Sequence, residues 1–306
     1  NECLDIAQQL IDMGCKIITL IGGEIFLRED WYKIAKKFVA NNVDTNIITN
    51  AFNLSQKHFD ALKKSSIRQV GISIDGTQRT HNKIRRNKLS FQHVLSTIKK
   101  LRADGYILGA ITTLNNLNFE DLEDMYQMLT DNELKVWQLQ LMAPMGNAVD
   151  SWQLLLPIEK IKQVIKFIKE KNEEKKLLLI AGDNIGYYAE YEKYIRGPKF
   201  HPQINNRFTG CKAGLFVVGI DNEGNVRGCE SLMAKEFIEG NLRKNTLKEI
   251  WNRKGAFAYN RNFKKELLSG KCALCNKGEI CKGGCRQLNC FTSGNKYASV
   301  FCCYSH

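Results

Sequence analysis

The sequence contains no apolar run approaching the roughly 18 residues that a membrane-spanning helix requires, so a transmembrane segment is not supported. The cysteines are attached to about 200 residues of ordinary α/β sequence with no signal-peptide pattern, which makes a secreted disulfide framework the less expected reading. There is no internal repeat and no low-complexity segment. Nor do the basic residues gather into one patch. A formal charge of +13 raises nucleic-acid binding, but lysines such as Lys160, Lys162, Lys166, Lys169 and Lys171 recur along one helical pattern, as solvated faces do. Nucleic acid is therefore not an expected partner, and an acidic peptide or leader segment suits the charge better. An initiating Met is absent too. The chain opens at Asn1 directly inside an amphipathic pattern of Leu4, Ile6, Ala7, Leu10 and Ile11, which predicts that a natural N-terminus lies upstream.

The 11 cysteines are unevenly placed. Cys3 and Cys15 stand beside the first helix pattern and read as small buried hydrophobes. The others follow a spacing rule: Cys211, then Gly224, then Cys229, then Cys272-x2-Cys275-x5-Cys281-x3-Cys285, with Cys302 or Cys303 as a last member. Cys290 lies among them. Thiols this dense must be bonded to something. Two thiolates two residues apart, as in Cys272-Ala-Leu-Cys275, can grip a tetrahedral zinc ion. Iron-sulfur cages also use short runs of cysteine, and Gly283-Gly284 lets the backbone pass close to a bulky core. Spacing alone leaves zinc and iron-sulfur open.

At 306 residues, with 43% hydrophobic and 25% charged, the chain predicts two domains. From residue 1 to about 181, short β-rich runs alternate with amphipathic helices. Strands are predicted at 17–21, 45–49, 69–74, 107–113, 136–142 and 177–181, with helices near 31–41, 56–64, 91–104, 119–131 and 157–173. Six strands separated by helices predict an α/β fold with a parallel sheet, closed or partly closed into a (β/α) barrel. In such folds the working residues stand at the C-terminal strand ends. Gly22-Gly23-Glu24 follows the first strand, Asn50 the second, and Ser73 and Asp75 close the third. Each alone has a plainer reading: a tight turn for the glycines, a cap for Ser73 and Asp75, and exposed helix neighbours for His81 and Arg85. Beyond Gly182 the pattern changes to a Gly/Pro-punctuated stretch near 197–210, a predicted hairpin of 216–220 with 225–227, and a helix near 247–251.

Gly22-Gly23-Glu24-Ile25-Phe26-Leu27, Thr49-Asn50-Ala51, Ile72-Ser73-Ile74-Asp75-Gly76 and His81-x3-Arg85 resemble the radical S-adenosylmethionine (radical SAM) enzymes. The cysteine rule, with Gly240-Asn241-Leu242 and Leu247-Lys248-Glu249-Ile250-Trp251, resembles their C-terminal SPASM extension. The resemblance implies a partial (β/α)6-type radical SAM barrel lacking its first strand over 1–185, and a Cys-rich SPASM domain over 186–306. It implies S-adenosylmethionine at Gly22, Gly23 and Glu24, with Ser73 and Arg85 reaching its ribose and carboxylate and Asn50 and Asp75 beside them. Two auxiliary [4Fe-4S] clusters are implied: one on Cys211, Cys229 and Cys285, the other on Cys272, Cys275, Cys281 and Cys302, with Cys303 as the alternative last ligand. The first group has no obvious fourth cysteine; Cys290 supplies it, or the position stays open. Glu230 stands where related sulfatase-maturing enzymes carry a carboxylate base, with an ordinary exposed glutamate as its plain reading.

One family feature is absent: the Cys-x3-Cys-x2-Cys loop that binds a third cluster and enables cleavage of S-adenosylmethionine. Either the sequence is an N-terminally truncated fragment, which the missing Met and the retained Gly-Gly-Glu favour, or it is a degenerate relative. A chain of this length alone is expected not to cleave S-adenosylmethionine. The function implied is hydrogen abstraction from a ribosomal precursor peptide, giving a thioether or carbon-carbon crosslink. Sulfatase maturation and a non-catalytic peptide-binding scaffold are the alternatives. A ferredoxin or flavodoxin donor and a reducing cytoplasm follow from the same resemblance.

Overall fold

The computed structural model describes residues 2–196 and 207–304. The Gly/Pro-punctuated stretch lies, over 197–206, outside the described residues. Six strands form one sheet in the order β1 (Ile17–Leu20), β2 (Asp44–Thr49), β3 (Gln69–Ser73), β4 (Ile107–Leu114), β5 (Val136–Leu141) and β6 (Leu178–Ala181). β1 and β6 lie at the two ends of that order, so the sheet is open rather than closed. Registers run parallel from Ile17 opposite Asp44, through Asn46 opposite Gln69, to Gln69 opposite Ile107. Each parallel step needs a crossover, and the amphipathic runs supply it as helices.

These helices are α1 (Glu2–Asp12), α2 (Trp31–Ala40), α3 (Gln56–Ser65), α4 (Gln78–Ile84), α5 (Ser90–Ala103), α6 (Leu122–Asp131) and α7 (Ile158–Glu174). Their buried stripes follow helical spacing: Trp31, Ala35 and Phe38 on α2, and Val94, Ile98 and Leu101 on α5. Strand burial alternates with period two, as on β4, where Leu108, Ala110, Thr112 and Leu114 are buried. Phe119–Asp121, expected to begin α6, is a 3₁₀ turn. The lysines of α7 form the anticipated solvated face, with Lys166–Glu170 and Lys169–Glu173 ion pairs one turn apart. No helix among the described residues is long and apolar enough to cross a membrane.

Contacts divide the chain into two compact units, 1–139 with 174–178, and 140–173 with 179–306. The second unit adds α8 (Glu192–Ile195), a small antiparallel sheet of β7 (Gly219–Ile220), β8 (Asn225–Arg227) and β9 (Gly240–Asn241), then α9 (Leu247–Asn252), α10 (Ala258–Arg261), α11 (Gly278–Cys281) and α12 (Arg286–Ser293). The hairpin is shorter than expected. Residues 216–218 are not part of it: Val217 makes an isolated bridge to Ala213, and Phe216 is 82% exposed. The third strand, β9, is too short and too glycine-dependent to show a period-two pattern. α9 begins with a capping box, in which Thr246 Oγ1 accepts from the Glu249 amide and Glu249 Oε2 accepts from the Thr246 amide.

Candidate functional site

In the first unit, the polar groups gather at the C-terminal strand ends. Glu24 is held from two directions: Thr49 Oγ1 donates to its Oε1 at 2.8 Å, and the Asn50 amide donates to its Oε2 at 2.8 Å. The Phe26 amide adds a longer bond to Oε1. One carboxylate thus ties the loop after β1 to the end of β2. Asn50 Oδ1 caps the Phe52 amide at 2.8 Å, a side-chain turn that fixes the exit from β2. Gly22 and Gly23 are exposed, have no left-handed backbone, and an added Cβ would meet nothing within 4 Å. The polypeptide itself therefore does not require glycine at either position.

At the end of β3, Asp75 is 5% exposed, pairs with Arg85 Nη2 at 2.6 Å and accepts the Thr113 amide at 3.1 Å. Arg85 Nε is buried without a hydrogen-bond partner among the described residues, which suits a group that binds an external acceptor. Ser73 is partly exposed at the same strand end. His81 corrects the plainer expectation for the His81–Arg85 pair. It is fully buried, and its Nδ1 accepts the Asp75 amide at 3.1 Å, so Nε2 carries the proton toward Ser90 Oγ at 3.0 Å. Burial, reinforced by the Arg85 charge and opposed by Asp75, lowers its pKa to about 4. Asn118, missed by motif reading, donates to the carbonyls of Asp75 and Thr113 at 3.0 Å, and Asp121 accepts from both the amide and hydroxyl of Thr77 at 2.8 Å. Both lie in the single asparagine-rich stretch Asn115–Asp121, whose spacing matches no catalytic motif and so gave no signal.

In the second unit, all cysteines are free thiols. Cys211, Cys229 and Cys290 pack around Ala213, Leu232 and Phe237. The charge of Cys211 acts on Cys229, Cys285 and Cys290, while Cys285 also packs with Cys281 and Cys302 around Tyr187 and Phe208, so it stands between the two groups. A second set forms where Cys281 feels Cys302, Cys272 and Cys275, and Cys302 feels Cys272 and Cys275. Cys303 interacts with Cys302, but its other charged neighbours are Lys162, Glu159 and Glu192. Packing places Cys302 beside Cys281, and Cys290 beside Cys211 and Cys229. Cys3 and Cys15, by contrast, are partly exposed rather than buried, and Cys15 donates to the Ile17 carbonyl at 3.3 Å.

Burial pushes the Cys229 thiol far up, Cys281 and Cys285 up to about 12, and Cys290 and Cys302 up to about 11. Such thiols ionise only when a cation takes their charge, which is the condition a metal centre meets. Two sulfurs already act as acceptors: the Lys277 amide reaches Cys275 Sγ at 3.3 Å and the Ser299 amide reaches Cys272 Sγ at 3.4 Å. Among the described residues no three His, Cys, Asp or Glu side chains converge on one ion-sized point. The loop between Cys281 and Cys285 winds through Lys282, Gly283 and Gly284, all left-handed, and an added Cβ on Gly284 would lie 2.8 Å from the Tyr187 ring. Tyr187 in turn accepts the Cys285 amide at 2.9 Å. Glu230 is exposed, and its Oε2 accepts from Cys229 Sγ at 3.3 Å.

A parallel α/β sheet with polar strand ends, joined in sequence to eight grouped thiols, defines an iron-sulfur enzyme of the S-adenosylmethionine-dependent kind. The model of the Radical SAM superfamily matches residues 1–129, and that of the SPASM iron-sulfur cluster-binding domain matches 211–276. The chain is a radical SAM enzyme with a C-terminal SPASM domain. It is 24% identical over 294 residues to the mycofactocin maturase MftC of Mycolicibacterium smegmatis, covering 95% of this chain and 71% of that protein. Against the AdoMet-dependent heme synthase of Methanosarcina barkeri it is 23% identical over 292 residues, covering 94% and 81%. In fold it resembles Streptococcus suis SuiB bound to the precursor peptide SuiA, with a TM-score of 0.74 at 14% identity, covering 97% of this chain and 67% of that one.

Proposed function

We infer that this radical SAM enzyme matures a ribosomally made precursor peptide by hydrogen abstraction, with two auxiliary [4Fe-4S] clusters in its SPASM region. The observation that supports the clusters is the gathering of cysteines into two packing groups, Cys211, Cys229 and Cys290 in one and Cys281, Cys285 and Cys302 in the other. Cys211, Cys229, Cys285 and Cys290 hold one cluster; Cys272, Cys275, Cys281 and Cys302 hold the other. The division of labour follows residues 1–185 for cofactor binding and 186–306 for the clusters. A reduced cluster on the Cys-x3-Cys-x2-Cys loop that this sequence lacks would cleave bound S-adenosylmethionine and so supply the radical that removes hydrogen from the substrate.

The chain's own residues position and shield. Gly22 and Gly23 offer bare backbone to the methionyl amine, and Glu24, already braced by Thr49 and Asn50, sets a negative charge beside that cation. Arg85, held by Asp75, directs its unsatisfied Nε to the cofactor's acceptors, with Ser73 at the adjoining strand end. Glu230 serves as a base beside the first cluster. A peptide substrate is favoured by the maturase relative, the peptide-bound SuiB structure and a chain of net charge +13 that attracts an acidic leader. A low-potential donor such as ferredoxin or flavodoxin, in the cytoplasm, completes the reading.

A tetrapyrrole substrate is the second reading, because the heme synthase relative is nearly as similar as the maturase. The deciding experiment incubates full-length, reconstituted enzyme and S-adenosylmethionine with the peptide encoded beside its gene, and separately with an iron porphyrin. Substrate-dependent 5′-deoxyadenosine and a mass shift on the peptide are expected. Turnover on the porphyrin alone would reject the peptide assignment.

A further inference from the structure

Arg286 follows Cys285 directly and opens α12, yet it is 0% exposed. Its Nε donates to Asn260 Oδ1 at 3.0 Å, and its Nη1 donates to the carbonyls of Lys282 at 2.6 Å, Lys296 at 3.0 Å and, more weakly, Gly284 at 3.4 Å. All four acceptors are neutral. The Tyr297 ring centroid lies 4.5 Å from the guanidinium carbon. Nη2 is buried and has no hydrogen-bond acceptor among the described residues. Among the described residues no carboxylate hydrogen-bonds to or pairs with this group; the ionisable groups acting on it include Cys211, Tyr297, Cys285 and Cys281. An arginine keeps its proton in a protein, and a buried charge is costly unless an anion answers it. Among the described residues the groups that can supply one are the thiols, with Cys211 foremost, and the Tyr297 phenol.

We propose that Arg286 is the counter-cation of the thiol set containing Cys211 and Cys285, and that it stabilises the reduced form of the iron-sulfur cage bound there. This rests on the cluster reading given above. Four thiolates and a core of charge +2 sum to −2, and one electron from an external donor takes the assembly to −3 without moving a proton. A fixed positive charge and a spare N–H beside the sulfurs both favour the more negative state, which raises the reduction potential. The same guanidinium also brackets the Lys282, Gly284 and Lys296 backbone, so a purely structural use must be separated from an electrostatic one.

The experiment quantifies iron and sulfide in the reconstituted protein, then titrates it with dithionite while following each cluster by electron paramagnetic resonance. Wild type is compared with Arg286→Gln and Arg286→Lys. Arg286→Gln should lower the potential of one auxiliary cluster by at least about 59 mV, a tenfold loss in a one-electron equilibrium, and move the other less. Arg286→Lys, which keeps the charge, should recover most of that shift. Full iron content with both potentials unmoved in the Gln variant overturns the proposal. If that variant does not retain iron, the reduced wild type labelled with ¹⁵N-arginine decides: a guanidinium nitrogen coupled to the cluster spin supports the proposal, and no coupling overturns it. Absence of iron and sulfide from the wild type would instead remove the cluster reading, and this inference with it.

Discussion

Glu24 and His81 are anchors first. Glu24 spends its carboxylate on Thr49 and Asn50, so the loop after β1 is already shaped before any cofactor arrives. Glu24→Ala removes both that brace and the negative charge, and S-adenosylmethionine affinity measured by calorimetry on the full-length protein should fall at least tenfold. Unchanged affinity would take Glu24 out of the site. His81 is neutral in the folded chain, with its pKa lowered from 6.5 to about 4 by burial. The unfolded chain therefore binds the extra proton between those values, and stability is full above pH 6.5 and declines as pH falls toward 4. The loss reaches about 3 kcal/mol at most, from ~1.4 kcal/mol per unit. Denaturant unfolding of wild type and His81→Gln across that range checks it, and parallel pH profiles would refute the assignment. Among the thiols, Cys302→Ala should lower iron and sulfide content while Cys303→Ala leaves both near wild type; the reverse would exchange their roles.

The loop from Cys281 to Cys285 and the short helices around it behave as one element. Three consecutive left-handed residues turn the chain sharply enough to bring Cys285 back to Tyr187. Gly284→Ala meets both an unfavourable φ of +87° and the Tyr187 ring, and should destabilise the protein by roughly 1–3 kcal/mol and reduce cluster retention. A thermal melt with parallel iron assay reads both, and a fully loaded, equally stable variant would contradict the role given to the loop. Elsewhere the helices obeyed local rules. The Thr246 and Glu249 capping box is visible in the sequence, three residues apart, and starts α9 where the pattern says it should. The 216–218 run, although rich in β-formers, is not a strand, because strand pairing here is set by the Asp221–Asn225 turn rather than by residue preference.

At the scale of the whole molecule, the clusters are part of the fold's stability. Two sets of four thiols predict close to eight iron and eight sulfide per chain from the auxiliary sites alone. Chelation of that iron should lower the melting temperature, because a metal that binds only the folded state adds its binding energy to folding. A melt insensitive to chelation would mean that the thiol sets are already rigid without metal. The parallel sheet, its helices and the polar strand ends were all legible from periodicity and turn residues, since those depend on neighbours a few positions apart. Gly-Gly-Glu and the cysteine spacing were legible for the same reason.

By itself the amino-acid order determined which elements form and which side chains carry sulfur, carboxylate or guanidinium to the strand ends and loops. Only tertiary structure decided which thiols pack together: Cys290 with Cys211 and Cys229, and Cys302 with Cys281 and Cys285. The same holds for His81, whose pattern suited an exposed helix face, and for Arg286, whose position after a cysteine says nothing about its complete burial. The physical reason is one of range. Backbone propensity and side-chain spacing act locally along the chain, whereas burial and charge depend on segments tens to a hundred residues apart that meet only when the chain is folded.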